Sequence, residues 1–167
     1  TGGQNVAVGT HALRLNQTHA ANTAVGYQAL YSNTQSDNTA VGQLSLYSNT
    51  VGRYNTAVGK RAGQNLSTTN YNTAIGFDSQ RNATSGASNT SIGAESLYQN
   101  QSDNQVAVGY RALYSATTGG ANIAVGERAV TTLTTGTLNV AVGNNALRNV
   151  TTSSRNTAMG YNAGDAI

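Results

Sequence analysis

The string Asn-Thr-Ala-Val-Gly, with close variants, recurs ten times in this chain of 167 residues, and its glycines fall at Gly9, Gly26, Gly42, Gly59, Gly76, Gly93, Gly109, Gly126, Gly143 and Gly160. Successive glycines lie 17 residues apart, except that the steps Gly26 to Gly42 and Gly93 to Gly109 are 16. A fixed short period constrains the fold more than any other feature, because each unit must be the same small element stacked on its neighbours. Helical repeats need about 33 to 47 residues to hold their helices and turns. Seventeen residues rich in Gly, Asn and Thr are too few for that, but they suffice for one circuit of a β-solenoid or β-roll. The expectation is therefore an all-β parallel β-roll of ten coils over residues 1–167, a single repeat array about 48 Å long at about 4.8 Å per coil.

The columns of the repeat give the physics of one unit. The residue two before each glycine is Ala, or Ser91 in one unit, and the residue just before it is always Val, Ile or Met. Alternation along a strand places Thr and Val on one face and Ala and Gly on the other. The Ala/Gly face admits a very close neighbour and should line the inside of a thin coil. The Val face needs a second apolar surface. Three after each glycine comes Ala or Ser, and the next position is Leu in six units and Val130 in a seventh, but Gly63, Gln80 and Gly164 in the others. The remainder is turn chemistry, as in Tyr31 to Asp37, where Asn, Asp and Gly tolerate left-handed backbone. The expected circuit has two short strands and two turns.

Composition then follows from the repeat. Leu, Ile, Val and Phe total 29 residues and the net charge is only +3, so the chain lacks both a bulky core and the charge of a disordered protein. Pro and Trp are absent, consistent with a thin layer in which every rung donates to the next. There is no Cys, hence no disulfide, thiol nucleophile or Cys-based zinc site. No apolar run approaches the roughly 18 residues of a membrane span, so membrane insertion is not expected. The nine Lys and Arg are scattered and form no basic block, which argues against nucleic-acid binding. No cofactor or metal motif is present, and no calcium-binding Gly-Gly-x-Gly-x-Asp repeat.

The unit Asn-Thr-Ala-Val-Gly-x-x-Ala-Leu resembles the head repeat of trimeric autotransporter adhesins of the Yersinia type, which form left-handed parallel β-rolls. Asn22 to Asn33, reading Asn-Thr-Ala-Val-Gly-Tyr-Gln-Ala-Leu-Tyr-Ser-Asn, is similar to arrays in phage tail-fibre proteins. The resemblance runs through all ten units. It implies a homotrimer of parallel rolls in an extracellular setting, a virion tail fibre or a bacterial cell surface. It also implies a trimer axis, for which Val25, Val41, Val58, Ile75, Ile92, Val108, Val125 and Val142 are the candidate face. Neither end of the array carries a polar cap, so end-to-end stacking within a longer fibre is expected.

Two sets of side chains stand out as sites. Two residues after each glycine lie Arg61, Asp78, Glu95 and Arg111 in successive units. Asp78 and Glu95 one rung apart resemble a paired-carboxylate acid/base site, but the flanking arginines would keep both ionised. An exposed charge ladder that fixes register is the preferred reading. Tyr31 and Tyr47 share one column, as do Tyr98 and Tyr114, while Tyr27 and Tyr110 share another; tyrosines on a polar rod suit either glycan contact or packing between coils or protomers. His11 and His19 read as surface residues. The ladder Thr23, Thr39, Thr56, Thr73 and Thr90 has Val or Ile beside it rather than a second Thr, which argues against ice binding. The function expected is a structural and adhesive fibre module without catalytic residues, with a ligand-free extracellular filament subunit as the alternative and a polysaccharide depolymerase as a distant one.

Overall fold

The computed structural model describes residues 3–165. It is an all-β parallel solenoid with ten strands of three residues each: β1 (Val6–Val8), β2 (Thr23–Val25), β3 (Thr39–Val41), β4 (Thr56–Val58), β5 (Thr73–Ile75), β6 (Thr90–Ile92), β7 (Val106–Val108), β8 (Ile123–Val125), β9 (Val140–Val142) and β10 (Thr157–Met159). They form one sheet in chain order, and each residue pairs with its counterpart one unit on, as Thr23 with Thr39, Ala24 with Ala40 and Val25 with Val41. About nine turns separate the first strand from the last, a rise of roughly 43 Å at about 4.8 Å per rung.

Only one strand forms per circuit, where the sequence suggested two. The segment after each glycine is instead a pair of tight turns: Ala29 N donates to Gly26 O at 3.3 Å and Asn33 N to Leu30 O at 3.2 Å. Left-handed residues recur two and four after the glycine, as at Gln28 (φ 55) and Leu30 (φ 50). This alternation still lets the backbone bond between coils, Gln28 N donating to Thr10 O and Leu30 N to Ser45 O, each at 3.0 Å. The turns therefore continue the ladder without extended chain, which is why the sequence pattern suggested a second strand there.

Alternation in the strand is as expected. The middle residue points inward and is wholly buried from Ala24 to Ala141, while Thr and Val point outward and stay partly exposed. The glycine that ends each strand but the last is required by space. At Gly76 φ is +133°, and a Cβ would lie 2.6 Å from the backbone carbonyl of Gly93.

Inside the coil, Ala and Leu from the turn segment fill the space between the strand and the opposite wall, with Leu30, Leu46, Leu97, Leu113 and Leu147 fully buried. One of the looser members of that column, Gly63, is compensated locally. A Cβ on Gly63 would sit 2.9 Å from a methyl of Leu66 and 3.0 Å from one of Leu46, so Leu66 occupies the volume that Leu takes in other units. Ser91, the one hydroxyl in the Ala column, meets Ser79 at 2.7 Å and Ser96 at 2.6 Å. Gln80 has no such provision, and its Oε1 is buried without a partner.

A second ladder runs beside the strands. Asn5, Asn22, Asn38, Asn55, Asn72, Asn89, Gln105, Asn122, Asn139 and Asn156 occupy equivalent positions, and each side-chain oxygen accepts the backbone N–H of the next member at 2.8–3.1 Å. The amide nitrogens donate to carbonyls in the turn leading to the next strand, such as Asn38 Nδ2 to Gly52 O at 2.8 Å and Asn55 Nδ2 to Thr69 O at 2.7 Å. One column of amides thus satisfies backbone groups that a three-residue strand leaves over.

Candidate functional site

Because the residues three and four after each glycine between Gly26 and Gly143 are buried, those one, two and five after it project together on one side of the rod. They form one strip along the rod, with side-chain contacts in local groups. Arg61 grips Asp78 with two parallel bonds, Nε to Oδ1 at 2.6 Å and Nη2 to Oδ2 at 2.8 Å, and Arg81 Nη1 approaches the same carboxylate at 3.5 Å. In the next rungs Arg111 Nε donates to Glu95 Oε2 at 2.7 Å. The column of Arg61, Asp78, Glu95 and Arg111 therefore resolves into two ion pairs. Asp78 is only 4% exposed, in contrast to the exposed ladder expected, because its short carboxylate is covered by the guanidiniums of Arg61 and Arg81. Both carboxylates are matched by guanidinium, an arrangement suited to holding charge rather than to exchanging protons.

The tyrosines stack along the axis. Tyr31 and Tyr47 have ring centroids 5.2 Å apart and 24° between planes, and Tyr98 and Tyr114 are 5.1 Å apart at 8°. Their faces are turned to one another, so edges and hydroxyls are what they present outward. Arg14 lies 5.7 Å from the centroid of Tyr31, and Arg111 lies 5.3 Å from that of Tyr114. His11 is exposed and meets Tyr31 edge-on at 6.2 Å, whereas His19 is half-buried. Tyr110 lies near two guanidiniums, Arg111 at 5.0 Å and Arg128 at 5.8 Å, while Tyr27 is exposed. The Glu95 hydrogen bond raises the pKa of Arg111 above its ordinary value. Burial, and after it the charge of Glu95, raises the Tyr114 phenol above 10.

On the outward face of the sheet, Val25, Val41, Val108 and Val142 are half-buried, while Val58, Ile75, Ile92 and Val125 are more exposed. The stripe continues through Val8 and Met159 at the two ends. It is flanked by the column Val6, Thr23, Thr39, Thr56, Thr73, Thr90, Val106, Ile123, Val140 and Thr157.

Three features escaped the column-by-column reading. Tyr54 and Tyr71 stack at 5.1 Å and 10° on the turn that enters β4 and β5, among the more exposed aromatics of the chain. A recess of about 480 Å³ is lined by Gln101, Ser102, Asp103, Asn104, Thr118, Gly120, Ala121, Thr137 and Leu138, around one of the two shortened circuits. Asp103 in this recess accepts the N–H of Ala87 at 2.7 Å. The third is a longer period. Arg14, Tyr31, Tyr47 and Gln64 are followed in the same column by Arg81, Tyr98, Tyr114 and Thr131, and then by Arg148. The shortened circuits repeat at the same interval, four units or 67 residues. Comparing residue i with i+67 would have shown it.

Among the described residues, no group of three or more His, Asp or Glu is placed to hold a metal ion, and no helix is long and apolar enough to cross a membrane. Compared with known proteins, the chain matches no family model, no curated protein and no solved structure.

Proposed function

We propose that this solenoid is a structural and adhesive section of an extracellular fibre, of the tail-fibre or surface-adhesin kind, working as a homotrimer whose axis runs along the Val stripe and whose outer side touches host-surface glycans. The observation that carries this reading is the stripe itself. A continuous aliphatic column on the outward sheet face, with Ile92 40% exposed and Val58 and Ile75 37% exposed, leaves apolar surface in water along the rod. Covering such surface is favourable by about 25 cal/mol per Å². A closed threefold lets each stripe meet two others about a common axis and leaves no further copy to recruit sideways. The resemblance of the repeat to trimeric adhesin heads and tail-fibre arrays supports the same arrangement, and the Arg-Tyr strip supplies polar groups for a sugar surface.

The test is the mass in solution. Sedimentation equilibrium should give three times the 17.1 kDa of one chain. A monomer across the accessible concentration range removes the shared axis, and a dimer removes the threefold.

A further inference from the structure

The longer period places a similar constellation on the strip twice, the second differing in that its arginine also lies 3.5 Å from Asp78 Oδ2 and 3.3 Å from Gln64 Oε1. Arg14 Nη1 donates to Tyr31 Oη at 3.2 Å, with Tyr47 stacked beyond, and Arg81 Nη1 donates to Tyr98 Oη at 3.2 Å, with Tyr114 stacked beyond. The two stations lie four circuits apart, about 19 Å along the axis at about 4.8 Å per rung. Charge follows the same side. The strip holds seven of the nine Lys and Arg and four of the six acids, so the whole +3 excess belongs to it.

We propose that the strip binds a linear, carboxylate-bearing polysaccharide laid along the rod, with the two Arg-Tyr-Tyr stations each taking one segment of the same chain. This rests on the adhesive reading above and names its ligand class. The rod presents equivalent side chains about every 4.8 Å along its axis, a spacing on the scale of a single pyranose ring. Equivalent sugars can therefore meet equivalent side chains. Guanidinium is the group best matched to a planar carboxylate, and the strip shows this geometry internally in the two-bonded Arg61–Asp78 pair. The stacked tyrosines add hydroxyls and ring edges for sugar hydroxyls. Their mutual stacking at 5.1–5.2 Å leaves no gap for an inserted base, which disfavours a single-stranded nucleic acid.

The experiment is calorimetric titration of the assembled protein with oligogalacturonates of graded length, with neutral cello-oligosaccharides and oligo(dT) in parallel. Binding should strengthen about tenfold as the galacturonate grows from about four sugars, enough for one station, to about eight, enough for both. It should weaken with added salt. R14Q/R81Q should abolish the gain with length and weaken the octamer about tenfold, with the sedimentation mass unchanged. If that variant alters the mass, Y31F/Y98F is read instead, and an unchanged octamer affinity overturns the proposal. Equal binding of the neutral oligomers overturns the charged-ligand assignment, and no dependence on length overturns the two-station arrangement, each while leaving a glycan-binding fibre. Preferential binding of oligo(dT) overturns it in favour of nucleic acid. Binding of neither saccharide series overturns the proposal, while the sedimentation mass still tests the fibre reading on its own.

Discussion

At the scale of single residues, the repeat works by substitution within a fixed volume. Leu66 fills the space beside Gly63, and Ser91 is matched by one hydroxyl of its own unit and one of the preceding unit, but Gln80 stands in the Leu column with Oε1 unpaired. A buried acceptor without a donor is unfavourable by about 1–3 kcal/mol. Gln80→Leu, close in volume and identical to the residue found in six other units, should therefore stabilise the protein by about 1–2 kcal/mol, read as a higher urea midpoint with an unchanged slope. Tyr114 yields a pH effect of definite sign. Its phenol is raised above 10 in the folded protein by burial and by Glu95, while in the unfolded chain it ionises near 10. Its contribution is therefore fully present below pH 10 and is lost as pH rises through the folded value, because the unfolded chain then releases a proton that the folded chain still holds. Urea midpoints measured at pH 9 and pH 11 should fall less for Tyr114→Phe than for the parent chain. An equal fall in both would contradict the assignment.

At the scale of elements, three-residue strands are too short to hold a sheet alone, and the amide ladder is what lets them suffice. Asn72 Oδ1 accepts the N–H of Asn89 at 3.1 Å, and Asn72 Nδ2 donates to Gly86 O at 3.2 Å. Asn72→Ala strands both backbone groups inside the coil and should lower stability by about 2–4 kcal/mol, with faster hydrogen exchange at the Asn89 amide. The exposed Asn144→Ala should change it by less than about 0.5 kcal/mol. The ladder was visible in the sequence as Asn in nine of ten units, yet it read as turn chemistry because Asn favours turns on propensity alone. The Ala face of the strand was legible because a two-residue alternation has one geometric meaning. The second strand was not, because left-handed residues such as Leu30 and Leu46 keep the inter-coil bonding of a strand without its extension, and nothing about leucine signals a positive φ. The shortened circuits show the same economy of turn geometry. Asn33 and Asn100 bond across two residues, to Gln35 and Ser102, where Asn49 in a full circuit reaches three, to Gly52, so the missing residue is absorbed in one side-chain-capped turn.

At the scale of the whole molecule, each unit touches only its neighbours, so stability along the rod is a sum of unit and nearest-neighbour terms. The period made that architecture legible, and the Asp78–Arg61 and Glu95–Arg111 pairs followed from stacking one column. What a single chain leaves open is the outer sheet face. Here the trimer proposal makes a prediction that separates an exposed stripe from a shared axis. In V58T/I75T/I92T every replacement is β-branched and matches the Thr column already on that face, so strand propensity is kept. If the stripe faces water, such surface changes shift stability by at most about 0.5 kcal/mol each and leave the sedimentation mass as it was. If three stripes meet at an axis, each replacement removes about one to two apolar carbons per chain from the contact, at about 0.8 kcal/mol per buried CH₂. Across three copies that amounts to roughly 7 kcal/mol or more, enough to shift the concentration for half-dissociation by several powers of ten. The expected outcome is a trimer that dissociates at micromolar concentration while circular dichroism still reports the folded coil, and a dilution series that leaves parent and variant indistinguishable would exclude the shared axis.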